Sequence, residues 1–197
     1  MSAEKILDDA NRLFLKKRFQ DAITMYDKVL RINPKNIVAL NNKGYSLGKI
    51  GDHENAILCY NMVLQITPDD KTVLTNKISS LRKTKRYEEA AIYCNQILRT
   101  IPNDPITLYH KERILFSLGS YADAVSCCNT ILENHPENGE VLFDKATNLA
   151  MLNNIDDSLD TLSKAVGVSQ QFRAKAKVHK AFSKLNDNGR FLQLVSG

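Results

Sequence analysis

The 197-residue sequence has no tryptophan, only four cysteines and no long run of apolar residues. A membrane-spanning helix needs about 20 consecutive apolar residues, so none is expected. Residues 1–9 also lack the apolar segment of a signal peptide, which predicts a cytoplasmic protein. The cysteines form no C-x-x-C pair, and we expect them to be small buried apolar side chains rather than metal or redox groups: Cys59, Cys94, Cys127 and Cys128.

The sequence also lacks the groupings of residues that carry catalysis. The four histidines are far apart and have no nucleophile at a motif spacing, and no glycine-rich loop follows a strand pattern. We therefore expect neither an enzyme nor a bound cofactor or metal ion.

What the sequence does contain is a period of 34 residues. Four of its prolines recur at that interval: Pro34, Pro68, Pro102 and Pro136. A leucine column recurs with them: Leu13, Leu47, Leu81, Leu115 and Leu149. A column of small residues follows: Ala22, Ala56, Ala90, Ala124 and Ser158. A third column holds mostly larger side chains: Tyr26, Tyr60, Cys94, Cys128 and Leu162. Several columns in register indicate a tandem array.

Each unit of the array reads as two amphipathic helices, because apolar residues fall at helical spacing in both of its halves. Gly51 and Gly119 lie between the paired helices, where a short turn needs unusual backbone angles. The periodic prolines follow the second helices, where they disfavour continuation. The alanine column predicts close approach of neighbouring helices.

This period and pattern resemble the tetratricopeptide repeat, over about residues 3–170. The resemblance implies an all-α fold, a right-handed α-α superhelix of about five helix-turn-helix repeats with a C-terminal capping helix. The predicted repeats are 3–36, 37–70, 71–104, 105–138 and a degenerate 139–172, followed by a basic cap and partial sixth repeat at 173–197. We expect residues 171–186 to form one capping helix.

Two residues depart from the family pattern in the middle of the array. Ile78 and Glu112 are large where the family has a small residue, as at Ala10, Gly44 and Ala146. A carboxylate in a tight helix contact needs a partner, and Lys111 and Arg113 are only sequence neighbours of Glu112. The sequence therefore predicts looser packing there.

The resemblance also implies that the first helices line a concave groove that holds a peptide or partner helix. Amides and hydroxyls predominate in the first three repeats, where they can both donate to and accept from a peptide backbone. Aromatic and arginine side chains follow in the fourth and fifth repeats, where specificity is expected. The candidate groove residues are Asn11, Asn41, Asn42, Tyr45, Asn76, Ser79, Arg82, Tyr109, Arg113 and Phe143.

Some members of the family clamp the terminal carboxylate of heat-shock chaperones with two lysines, two asparagines and an arginine. Asn11 and Asn42 match this set, but Leu7 replaces the first lysine, and Thr72 and Asn76 replace the last two basic residues. A neutral side chain cannot supply the charge-assisted bonds that hold carboxylates. Binding of a chaperone tail is therefore disfavoured.

The net charge of +5 lies at the carboxyl end, because residues 171–197 hold six basic side chains and one acid. Such a segment could attract nucleic acid or an anionic surface, or be only a solvated capping helix. The candidate anion-binding residues are Arg173, Lys177, Lys180 and Lys184.

These patterns favour a protein–protein interaction module that acts as an adaptor or assembly factor. One alternative is nucleic-acid or anionic-surface binding through the basic cap. Another is a structural role, in which the cap or Phe182, Phe191 and Leu192 mediate self-association. The sequence leaves the partner and the oligomeric state open.

Overall fold

A computed structural model describes residues 2–196 of the chain, and within that range every regular element is a helix. The first unit contains α1 (Ala3–Leu15), α2 (Phe19–Ile32), α3 (Ile37–Lys49), α4 (His53–Leu64), α5 (Lys71–Lys83) and α6 (Tyr87–Thr100). The second contains α7 (Pro105–Ser117), α8 (Tyr121–Asn134), α9 (Gly139–Met151), α10 (Ile155–Val168), α11 (Gln171–Val178), a 3₁₀ helix (Lys180–Leu185) and α12 (Gly189–Ser196). The chain divides into these two compact units between Thr100 and Ile101, and within each unit consecutive α-helices pack against each other.

A periodic side chain caps each first helix of a repeat. Its oxygen accepts a hydrogen bond from the backbone N–H three residues later, which satisfies a donor that the helix leaves unpaired. The donor–acceptor distance is 2.9 Å for Asn36 and Ala39, and 3.0 Å for Asp70 and Val73. The capping residues are Ser2, Asn36, Asp70, Asp104 and Asn138.

The turn inside each repeat also has one geometry. The second residue after the first helix adopts a left-handed backbone, and the next N–H donates to the carbonyl of the periodic leucine, as from Asp52 to Leu47 at 2.9 Å. Gly51 has a φ of 90° and Gly119 a φ of 78°, as their predicted place in the turn requires. Residues with side chains adopt the same conformation in the other repeats: Lys17, Lys85 and Asn153.

The middle of the array is filled rather than loosely packed, which corrects the sequence-based expectation. A Cβ added to Gly44 would lie 2.7 Å from Cε1 of Tyr60, so these two positions face each other. One repeat later they are Ile78 and Cys94, both completely buried. The larger residue in the first helix is thus matched by a smaller one in the second, which keeps the pair's volume similar.

Glu112 repeats this arrangement opposite Cys128, and it is only 3% exposed. Its Oε1 accepts a hydrogen bond of 2.6 Å from Nδ2 of Asn148, on the first helix of the following repeat. A buried carboxylate is costly without such a bond. Asn148 is thus a hydrogen-bond partner of Glu112 that the sequence did not identify.

The carboxyl-terminal residues do not form one helix over 171–186. The helix α11 ends at Val178, and His179 is extended, with its Nδ1 accepting a 3.3 Å hydrogen bond from the N–H of Ala181 at the start of the 3₁₀ helix. Because the helix breaks here, Phe182 packs in a core that also contains Phe172 and Phe191. Because Phe182 and Phe191 are buried, they offer no exposed surface for self-association, which corrects that part of the structural alternative.

Candidate functional site

The predicted groove residues of the first unit lie on its first helices, α1, α3 and α5. Asn11 and Asn42 contact each other, since Nδ2 of Asn42 donates to Oδ1 of Asn11 at 3.1 Å. The same oxygen accepts a 2.8 Å bond from the hydroxyl of Tyr26. The Asn11 amide is thereby fixed in orientation from α2 and α3 together.

Asn41 precedes Asn42 on α3 and has a different environment. Its Oδ1 is buried and has no hydrogen-bond partner among residues 2–196. A buried carbonyl oxygen without a donor costs about 1–3 kcal/mol. We call Asn11, Asn41 and Asn42 the amide surface.

Tyr45 lies one turn further along α3 and is half-buried. Its ring meets Phe14 and Phe19 edge-on, with centroid distances of 5.4 and 6.3 Å, and Nζ of Lys49 lies 4.9 Å from its centroid. These contacts give the amide surface a rigid aromatic neighbour with one positive charge beside it.

The remaining candidates of the first unit are on α5. Asn76, Ser79 and Arg82 are all half-buried. Among the described residues, no hydrogen bond joins Asn76 to Asn42. The amide contact seen between α1 and α3 is therefore not continued to α5.

In the second unit the structure brings Tyr109 and Arg113, on α7, together with Asp144 on α9. Nη2 of Arg113 lies 2.8 Å from Oδ2 of Asp144, and its guanidinium carbon is 4.5 Å from the Tyr109 centroid. Burial raises the pKa of Tyr109 and also that of Asp144, where Arg113 opposes the effect. We call these three residues the arginine surface.

The arginine surface also has an unused donor. Nε of Arg113 is buried without a hydrogen-bond partner in the described part of the chain. Because Nη2 is held by Asp144, the guanidinium cannot turn freely to find one. This donor is enclosed by the protein, whereas the Arg113 side chain as a whole remains 34% exposed.

Phe143 does not line an open surface, contrary to the sequence-based expectation. It is 1% exposed, because Phe172 stacks on it at 5.6 Å and Phe182 meets it edge-on at 5.9 Å. Lys175, on α11, places its Nζ 4.4 Å from the centroid of the Phe143 ring. The carboxyl-terminal residues thus cover the ring that was expected to anchor a ligand.

The basic segment is partly neutralised by acids of the second unit. Lys175 binds Glu140 at 2.6 Å, and Arg190 binds Asp156 and Asp160 at 2.9 and 2.6 Å. Arg173 is half-buried, whereas Lys177, Lys180 and Lys184 are exposed and form no ion pair with the described residues. The positive charge of the segment that is both exposed and unpaired therefore lies on these three lysines.

The four cysteines are buried and unbridged, and burial raises the pKa of Cys59, Cys127 and Cys128. Within residues 2–196, no group of three or more histidine, cysteine or acidic side chains is placed to hold a metal ion. No helix in the same range is both long enough and apolar enough to span a bilayer.

Comparison with known proteins agrees with this architecture. Residues 25–57 match the sequence model of the tetratricopeptide repeat family. No curated protein is significantly similar in sequence. The resemblance inferred from the 34-residue period is confirmed: residues 25–57 carry this repeat, and the chain has the all-helical tetratricopeptide fold.

Three solved structures illustrate the similarity of fold. A tetratricopeptide repeat protein from Parabacteroides merdae is 19% identical with a TM-score of 0.86, over 98% of this chain and 77% of that one. A MamA fragment from Desulfovibrio magneticus RS-1 is 15% identical with a TM-score of 0.81, over 86% and 96%. YrrB, described as a tetratricopeptide protein with an unusual peptide-binding site, is 18% identical with a TM-score of 0.78, over 89% and 92%.

Proposed function

We propose that this protein is a non-enzymatic interaction module that holds an extended segment of another protein against the amide surface. The observation that carries the proposal is the buried, unpartnered Oδ1 of Asn41 beside the Asn11–Asn42 pair. A backbone N–H of a bound segment would satisfy that oxygen once the Asn41 side chain turns outward on binding. An adaptor or assembly role follows from binding without chemistry.

The amide surface suits a partner's backbone rather than a particular side chain. Amides both donate and accept, so they can pair with an extended chain of many sequences. Tyr45 adds an apolar face for one side chain of that segment, and Phe14 and Phe19 fix its ring. The peptide-binding site described for YrrB, a protein of the same fold, supports this class of ligand.

The arginine surface supplies a second point of recognition in our proposal. The exposed part of the Arg113 guanidinium would donate to a carbonyl or carboxylate oxygen of the partner, while Tyr109 packs against the adjacent apolar atoms. Because Asp144 already neutralises the guanidinium, the interaction depends on hydrogen-bond direction more than on net charge.

Affinity capture from a cell extract tests the proposal. The comparison uses the intact protein, an Asn41→Ala/Asn42→Ala variant, an Arg113→Gln variant and the control Asn95→Ala, an exposed asparagine on the second helix α6. Proteins kept by the control but lost with the amide-surface variant are then assayed as synthetic segments. Equal capture by all four proteins would contradict the proposal.

The basic-cap alternative is separated in the same experiment by a Lys177→Glu/Lys180→Glu variant. Bound nucleic acid or protein that is lost with this variant and at high salt would transfer the function to the cap, because such binding depends steeply on ionic strength. If this variant still binds the captured segments, the result supports binding at the amide surface.

A further inference from the structure

Two surface clefts of the first unit are related by the sequence period. One has a volume of about 360 Å³ and lies among α2, α3 and α4, and the other has about 500 Å³ and lies among α4, α5 and α6. Every residue that lines the first cleft has its counterpart 34 positions later in the second. Neither cleft includes a residue of the amide surface, so they form a different part of the molecule.

The first cleft contains its own counter-charge. Lys43, on α3, places Nζ 2.5 Å from Oδ1 of Asp27 on the preceding second helix. The periodic lysine at this position is thus shown binding a carboxylate supplied by the neighbouring repeat.

The second cleft keeps the lysine but lacks that carboxylate. Lys77 replaces Lys43, whereas the counterpart of Asp27 is the neutral Asn61. Tyr93 stands where the first cleft has Cys59, and its hydroxyl accepts a 2.5 Å hydrogen bond from Nζ of Lys77. A phenol satisfies one of the three ammonium donors and carries no compensating charge.

The charge of Lys77 is therefore only partly balanced. The side chain is almost wholly buried, and its nearest carboxylate oxygen, on Glu89, is 4.0 Å away. The other oxygen of Glu89 accepts a bond from Arg86, so two cations share that acid. A buried ammonium is costly without a close, hydrogen-bonded counter-charge.

We propose that the second cleft binds an acidic side chain of a partner protein, whose carboxylate occupies the place beside Asn61 that Asp27 occupies in the first cleft. Lys77 donates to that carboxylate and Tyr93 closes one side of the site. The occupant is an aspartate or glutamate in an extended segment, because the cleft is an open surface feature that a chain can cross. This site shares no residue with the amide surface, so the two proposals are tested separately.

The test is a titration of the full chain with an acetylated, amidated hexaglutamate peptide. NMR chemical shifts of the backbone amides report the binding. The Lys177→Glu/Lys180→Glu background prevents the peptide from binding the exposed cap lysines. We expect shifts at residues lining the second cleft, and none with a hexaglutamine peptide. Shifts confined to other surfaces, or equal affinity for free glutarate, would overturn the assignment to an acidic segment.

Two reciprocal substitutions make the test specific. Asn61→Asp supplies the missing carboxylate internally, so peptide affinity should fall at least tenfold and the midpoint of thermal unfolding should rise. Asp27→Asn removes the internal carboxylate of the first cleft, which should then shift on titration as a second site. The control Gln20→Glu adds the same negative charge to an exposed residue outside both clefts. An Asn61→Asp protein that binds like wild type, or a Gln20→Glu protein that loses as much affinity, would refute the proposal.

Discussion

At the scale of single residues, the fold depends on matched pairs of positions within each repeat. Gly44 faces Tyr60, and the same two positions are Ile78 and Cys94 in the next repeat. The 34-residue columns reveal each position but not the pairing, because a column is read along the array while the compensation occurs across a helical hairpin. This is why the size of Ile78 pointed wrongly to loose packing.

The pairing predicts strong coupling between the two positions. Gly44→Ile should destabilise the protein by about 1–3 kcal/mol, because the added side chain meets the Tyr60 ring. Tyr60→Cys should cost about 3–5 kcal/mol through the cavity that it leaves. Combined, they recreate the pair of the next repeat, and their costs should fall short of additivity by at least about 1 kcal/mol in denaturant unfolding.

A control combines Gly44→Ile with Leu162→Cys, which lies in the other unit and should be additive with it. Full additivity of the Gly44→Ile/Tyr60→Cys pair would show that the two positions do not compensate each other.

Asn41 offers a second prediction at this scale. Asn41→Leu removes a buried oxygen that has no donor and keeps a similar volume, so the free energy of unfolding should rise by about 1 kcal/mol. Partner binding should weaken in the same variant. A loss of stability on urea denaturation would mean that the Asn41 oxygen contributes to the fold instead of awaiting a ligand.

At the scale of elements, the turn inside each repeat has the same left-handed residue whatever its side chain. Glycine fits that conformation, but Lys85 adopts it with a φ of 60°. A residue with a Cβ is strained there by about 1 kcal/mol. Lys85 is exposed, so its replacement removes no packing.

Lys85→Gly should therefore raise the free energy of unfolding by about 0.5–1 kcal/mol, measured by denaturant titration. The matched substitution Gly51→Ala places a Cβ into the same backbone conformation and should lower stability by about 1 kcal/mol. If both changes act in the same direction, the turn geometry is not what governs these positions.

The helices themselves were largely predictable from the sequence, because apolar spacing and periodic breaks encode them locally. The all-helical class and the turns at Gly51 and Gly119 followed directly from that pattern. The break at His179 did not, because it serves a core assembled from Phe143, Phe172 and Phe182, which are distant in sequence. Beyond Gln170 the period is only partial, so it did not show which aromatic side chains would meet.

At the scale of the whole molecule, periodicity placed the candidate residues on helices but could not determine their partners. Asn11 and Asn42 lie 31 residues apart, and so do Arg113 and Asp144, a spacing set by the packing of adjacent first helices. The clefts repeat by exactly one period, yet the difference between Asp27 and Asn61 becomes meaningful only beside the lysines that they face. Pairing across repeats is thus the information that the sequence columns lacked.

The closure of the second unit by its carboxyl-terminal residues should depend on pH through His179. Its ring lies 5.7 Å from Phe143 and 6.0 Å from Phe182, and its Nδ1 accepts from Ala181, a bond that a protonated Nδ1 cannot accept. Burial lowers the pKa of His179 below its ordinary value of 6.5, and Lys175 and Lys180 add to the effect.

The unfolded chain therefore takes up this proton at a higher pH than the folded protein does. The contribution of His179 to the free energy of unfolding is fully present above pH 6.5. It declines as the pH falls from there toward the lower pKa of His179 in the folded protein, by no more than about 1.4 kcal/mol per pH unit for one proton. Urea unfolding between pH 7.5 and 5.5 should show this decline in the wild type, and His179→Gln should reduce it. His135→Gln, at an exposed position, is the matched control and should keep the wild-type slope. An unchanged slope in His179→Gln would mean that protonation of this ring does not oppose closure.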